Sequence, residues 1–132
     1  REVDGRQIGI GSRGPVTADG SNRLKPDLVA PGVNTRSAVL GTGYGSKSGT
    51  SMAGPHVAGV VALMMSVDQS LKGDPARVEQ ILRETSVPIS NSQVCGGIPG
   101  TTFPNPVQGM GRVDAYNAYL ALDDIFADDF DD

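Results

Sequence analysis

The chain has 132 residues, a size suited to one domain with a moderate core. With 38% hydrophobic and 20% charged residues its bulk is globular rather than disordered, and 18 Gly with 9 Pro favour a loop-rich α/β protein over a helical bundle. The net charge of −4 lies at the C-terminus: six of the 15 acids are Asp123, Asp124, Asp128, Asp129, Asp131 and Asp132, leaving nine acids against 11 bases elsewhere. With no basic stripe and few aromatics, nothing here fits a nucleic-acid binder.

In chain order, residues 1–23 are polar and Gly-rich, with one short apolar run at Ile8–Ile10 and a turn at Ser12-Arg13-Gly14-Pro15. Leu24 to Ala30 reads as a strand closed by Pro31-Gly32, and Arg36 to Leu40 as a second extended piece. Gly41 to Gly49 is a glycine and serine loop. Met52 to Met65 is apolar on nearly every side, which predicts a helix buried all round, with Gly54, Ala58 and Ala62 as a smooth ridge. Pro55 near its start removes an amide that the first turn tolerates losing. Interrupted by Pro55 and His56, this run is too short to cross a bilayer.

A second helix is predicted from Asp74-Pro75, with Asp74 as N-cap and Pro75 in the first helical position. Val78, Ile81, Leu82 and Thr85 make its inner face, and Pro88 lies beyond its end. Residues 89–108 read as an irregular loop, Met110 to Val113 as a short strand, and Asp114 as the cap of a last helix, Ala115 to Leu122. These define a body at 1–122 and an acidic segment at 123–132 expected to fray. No signal peptide is visible in a chain opening Arg1-Glu2-Val3-Asp4. The single cysteine, Cys95, has no internal partner; it is either a small buried side chain or pairs with a cysteine outside this chain.

The chemistry concentrates in Gly49-Thr50-Ser51-Met52-Ala53-Gly54-Pro55-His56-Val57-Ala58-Gly59, where a glycine-rich loop turns into the apolar helix. A helix N-terminus offers unpaired amides and partial positive charge, which favour the oxyanion of a tetrahedral acyl-transfer intermediate. On position alone, Thr50 or Ser51 would serve equally well as a cap. The surrounding residues weigh against that. The segment resembles the nucleophile signature of subtilisin-like serine peptidases (subtilases). Ser12-Arg13-Gly14-Pro15, Lys25-Pro26-Asp27-Leu28-Val29-Ala30-Pro31-Gly32 and Gly109-Met110-Gly111-Arg112-Val113-Asp114-Ala115 resemble three further motifs of that family, in its order, over roughly residues 9–122.

The resemblance implies the C-terminal part of the α/β subtilisin-like fold, a mainly parallel sheet flanked by helices. It implies a serine endopeptidase acting on protein or peptide substrates through an acyl-enzyme on Ser51. Thr50, Gly49, Ser48 and Met52 would line the oxyanion and substrate cleft, with Lys47-Ser48-Gly49 on the leaving-group side. No cofactor enters the chemistry and no metal site is assigned to these residues. Structural calcium is frequent in the family, mostly on upstream ligands; Asp27 matches a position sometimes near a weak cation site but more simply bonds local backbone. The family's triad Asp and His and its oxyanion Asn lie upstream of the Ser12–Pro15 turn, so the chain resembles a piece of an enzyme whose N-terminal part is its partner, inactive alone. The parent is expected to be secreted or held in the cell envelope, with no membrane span here.

His56 is five residues from Ser51, roughly 7.5 Å of rise and 140° of rotation along a helix, which sets it apart from Ser51 Oγ. It is expected to be a buried, hydrogen-bonded structural residue, not the base. An α/β-hydrolase reading of the near match to G-x-S-x-G fails because no histidine follows His56. The remaining alternative is a non-catalytic pseudopeptidase fragment that binds or assembles.

Overall fold

The computed structural model describes residues 11–127. The apolar run Ile8–Ile10 and residues 128–132 of the acidic segment lie outside the described residues. The order is β1 (Thr35–Ala38), β2 (Tyr44–Lys47), α1 (Thr50–Val67), α2 (Pro75–Glu84), β3 (Val94–Cys95), β4 (Ile98–Pro99) and α3 (Ala115–Ala127).

The framework is a short three-way backbone pairing. The segment around Met110–Val113 runs parallel to Asp27–Val29: Met110 N–H donates to Asp27 O, Val29 N–H to Gly111 O and Val113 N–H to Val29 O, all at 2.8 Å. On its other side Arg112 and Val87 exchange two antiparallel bonds, also 2.8 Å. Gly111 makes this possible: its φ is +133°, and a Cβ there would sit 2.2 Å from Val87 O. The α/β class of the sequence reading stands, but the parallel pairing is confined to this bridge. The two regular sheets are small antiparallel pairs, β1–β2 and β3–β4.

The first of these corrects the sequence reading. Residues 41–49 are not all loop, because Tyr44–Lys47 pairs with Thr35–Ala38 in the register Thr35↔Lys47 to Ala38↔Tyr44. Glycine and serine have poor strand propensity, so the strand is set by cross-strand partners rather than composition. Arg36 stacks over Tyr44, 4.6 Å from the ring centroid. The second pair, within residues expected to be irregular, turns at Gly96-Gly97, both with positive φ. Cys95 there is a half-buried free thiol.

The helices enclose one core. Val60 and Met64 of α1, Val78, Ile81 and Leu82 of α2, Ala118 and Leu122 of α3, with Ala30, Leu71 and Val113, are buried together. Asp74 caps α2 by accepting from Arg77 N–H at 3.0 Å, with Pro75 in the first turn. Asp114 Oδ1 accepts from the amides of Tyr116 and Asn117 at 3.0 Å. α3 continues to Ala127, five residues into the segment expected to fray. No Gly or Pro follows Asp114 to interrupt it.

α1 departs from expectation in burial. Only Val60 and Met64 are buried, and Leu63 is 61% exposed. An all-round apolar sequence measures the demand for neighbours; within the described residues they cover one side. Running unbroken through Pro55 and His56 for 18 residues, α1 is by length and composition long enough to cross a bilayer, unlike the interrupted run read from sequence. Its packing on α3 through the core residues is that of a domain helix.

Asp68, at the C-terminal cap of α1, is buried and accepts from Ser70 N–H at 2.8 Å, with Arg77 Nη2 4.0 Å away. The Ser70 hydroxyl and amide, aided by Arg77, hold its carboxyl below the ordinary value of 3.8. A depressed folded-state pKa contributes stability above the unfolded value and loses it as pH falls through the folded one. The melting temperature is therefore expected to fall as pH drops below about 4, and Asp68→Asn to flatten that part of the profile. Thermal melts of both proteins between acid and neutral pH check this.

Candidate active site

The turn into α1 is built by Gly49. Its φ of 153° and ψ of 169° fall in a region open essentially to glycine alone. Space is not the constraint, since a Cβ there would meet nothing closer than 3.8 Å. In this conformation Gly49 O accepts from Met52 N–H at 3.0 Å and Ala53 N–H at 3.3 Å, opening the helix, while Gly49 N–H donates to Gly32 O at 2.7 Å. Ser48 Oγ accepts from Asn34 N–H at 3.0 Å. Gly32 and Asn34 thus moor the loop before Ser51. Neither is singled out by the sequence reading, although Asn34, at φ 50°, is the residue type that tolerates a left-handed turn.

Because Gly49 is the N-cap, Thr50 and Ser51 do not cap the helix. Ser51 is exposed, and among the described residues its hydroxyl and its amide have no hydrogen-bond partner. A nucleophilic oxygen and an oxyanion-type donor are therefore both open to solvent on one residue at the positive end of a helix.

The expected cleft residues do not all face one space. Ser51 and Met52 line a cleft of about 530 Å³ with the β1–β2 hairpin, Pro55 and His56. Gly49 and Thr50 line a separate, largely apolar cavity of about 250 Å³ with Leu28, Val29, Ala53 and Val57. Ser48 is engaged by Asn34.

His56 is exposed rather than buried, and shares the Ser51 cleft. Helical side chains lean toward the N-terminus, so its ring lies back over the preceding turn, with Nδ1 2.9 Å from Met52 O. A carbonyl only accepts, so Nδ1 carries the proton in that bond. His56 is hydrogen-bonded, as expected, and makes no bond to Ser51.

Asp27 is not held by local backbone. Its carboxylate pairs with Lys25 Nζ and lies 3.7 Å from Arg83 Nη1. With both neighbours cationic, and no group of three or more His, Cys, Asp or Glu suited to a metal among the described residues, these side chains do not fit a calcium ion.

A solvent-open serine on a glycine-turned helix start, beside a parallel pairing of the Lys25–Gly32 and Gly109–Ala115 motifs, is a subtilase arrangement. The chain belongs to the subtilase family, whose model matches residues 4–118. It is similar to bacillopeptidase F of Bacillus subtilis, at 41% identity over 107 residues, covering 78% of this chain and 7% of that protein. It is also similar to the minor extracellular protease Vpr of the same organism, at 36% over 124 residues, 89% and 14% respectively. Among solved structures, the CspB protease of Clostridium perfringens superposes with a TM-score of 0.64 at 34% identity, covering 86% of this chain and 23% of that one. The fold is subtilisin-like, and the chain spans less than a fifth of each of these two curated relatives.

The free Ser51 hydroxyl has a direct consequence for stability. Ser51→Ala is expected to shift unfolding by no more than about 0.5 kcal/mol, where loss of a true cap would cost about 1 kcal/mol. Gly49→Ala is expected to cost about 1–3 kcal/mol through backbone strain. Denaturant midpoints of the two variants test the assignment of cap and nucleophile.

Proposed function

We propose that this chain is part of a serine endopeptidase that hydrolyses peptide bonds through an acyl-enzyme on Ser51. The observation that carries this reading is the open Ser51 hydroxyl and amide at the start of α1, in a chain of the subtilase family. In the reaction, Ser51 Oγ attacks the scissile carbonyl carbon while a general base takes its proton. The oxyanion formed is held by the Ser51 amide, with the Thr50 hydroxyl assisting. Collapse expels the amine, which takes the proton from the base, and water then hydrolyses the ester to release the acid and restore Ser51. No cofactor takes part.

The base is not His56, which is bonded to Met52 O. We assign the His, the Asp that orients it and the second oxyanion donor to a further segment of the peptidase domain. That segment would also cover the exposed apolar side of α1 around Leu63 and border the apolar cavity at Leu28 and Val57. Buried in this way, α1 is a domain helix and no membrane span. The parent enzyme, acting on protein or peptide substrates, is placed outside the cell or in its envelope. The lack of any carboxylate in the Ser51 cleft favours a second reading for the chain alone, a non-catalytic binding or assembly module.

A fluorophosphonate probe separates the two. The chain alone is expected to label at Ser51 no faster than an ordinary serine. Co-expression with the segment carrying the Asp, His and Asn is expected to restore labelling and peptide hydrolysis, and Ser51→Ala to abolish both. A complete domain with all three residues that folds and still leaves Ser51 unlabelled overturns the peptidase reading in favour of the binding module.

A further inference from the structure

The cleft that holds Ser51 has a one-sided charge. Lys47, four residues before Ser51, pairs with Thr35 across the hairpin, and the alternation of an antiparallel pair places Thr35, Ser37, Gly45 and Lys47 on one face. That is the face toward the cleft: Gly45 and Lys47 of β2 line it, whereas Tyr44 and Ser46 do not. Lys47 is exposed and, among the described residues, makes no hydrogen bond or ion pair. His56 lies on the opposite wall, and the unbonded amides of Thr50 and Ser51 add the positive end of α1. Arg36 occupies the other face of the hairpin, stacked on Tyr44, and adds to the same field from behind. No Asp or Glu lines the cleft.

From this we infer that Lys47 is a specificity-determining residue, and that the cleft takes peptides with acidic side chains just beyond the scissile bond on the leaving-group side. The inference rests on the reading of Ser51 as nucleophile and names the substrate class of that site. The reasoning is electrostatic complementarity. An unpaired ammonium in a cleft without carboxylates gains a partner when an acidic substrate binds and repels a basic one. Exposed to water, a single pair of this kind changes affinity by a small factor rather than by orders of magnitude.

The test uses the 132-residue chain carrying Ser51→Ala and three tripeptide amides that mimic the leaving-group product, Glu-Glu-Ala, Gln-Gln-Ala and Lys-Lys-Ala, each with a free amine. Titrations followed by amide chemical shifts are expected to perturb Lys47 and residue 51, with Glu-Glu-Ala binding about threefold to fivefold tighter than Gln-Gln-Ala, and Lys-Lys-Ala weakest. About 0.5 M salt should compress that order. Lys47→Met, which keeps an apolar stem, should level the three peptides, and Lys47→Glu should reverse them, with shifts far from the hairpin unchanged as the check on folding. Equal binding of the three peptides, tighter binding of Lys-Lys-Ala, or no perturbation at these amides overturns the inference. Because Ser51 is absent from the binding test, failure of the peptidase reading shows in the labelling experiment and failure of the acidic preference shows here.

Discussion

One peptide unit, Gly49, sets the geometry on which the candidate site depends. Its glycine-only backbone angles point its carbonyl down the helix, where two amides share it, and its own amide back to Gly32. A residue with a Cβ would relax toward ordinary φ, and Ser48 or Thr50 would then take over as cap. Either would tie up a hydroxyl at the helix start. With the glycine in place, Ser51 keeps both polar groups unspent at the end of the helix where a developing negative charge is best tolerated.

That arrangement was legible in the sequence as a motif but not as a geometry. The glycine-to-serine segment identified the nucleophile, and Asp74, Pro75 and Asp114 announced two helix starts through local hydrogen bonding that needs no tertiary context. The β2 strand was illegible because Tyr44-Gly45-Ser46-Lys47 has neither the alternation nor the branched residues that mark strands; only pairing with Thr35–Ala38 defines it. The same holds for Gly32 and Asn34. They act on the site through backbone amides and carbonyls, which leave no trace in side-chain chemistry.

Burial was misread for a different reason. Hydrophobic patterning reports what a helix requires, and α1 requires neighbours on every side. Among the described residues it has them along Val60 and Met64 only. His56, placed by the same reasoning inside a core, stands instead at the wall of an open cleft. The α2 face containing Val78, Ile81 and Leu82 was read correctly because its polar side is polar in sequence, so the one-sided burial was written into the pattern.

Pro55 gives the nucleophile's turn a mechanical identity of its own. Lacking an amide, it leaves the Ser51 carbonyl without the rung that would fasten it one turn further along α1. The first turn is consequently clamped less by the body of the helix than by the outside loop, through Gly49 to Gly32 and Ser48 to Asn34. Vibration or fraying elsewhere in α1 is filtered before it reaches Ser51, whereas any displacement of the Pro31–Asn34 segment is delivered to it directly. The serine behaves as the end of a loop that happens to begin a helix.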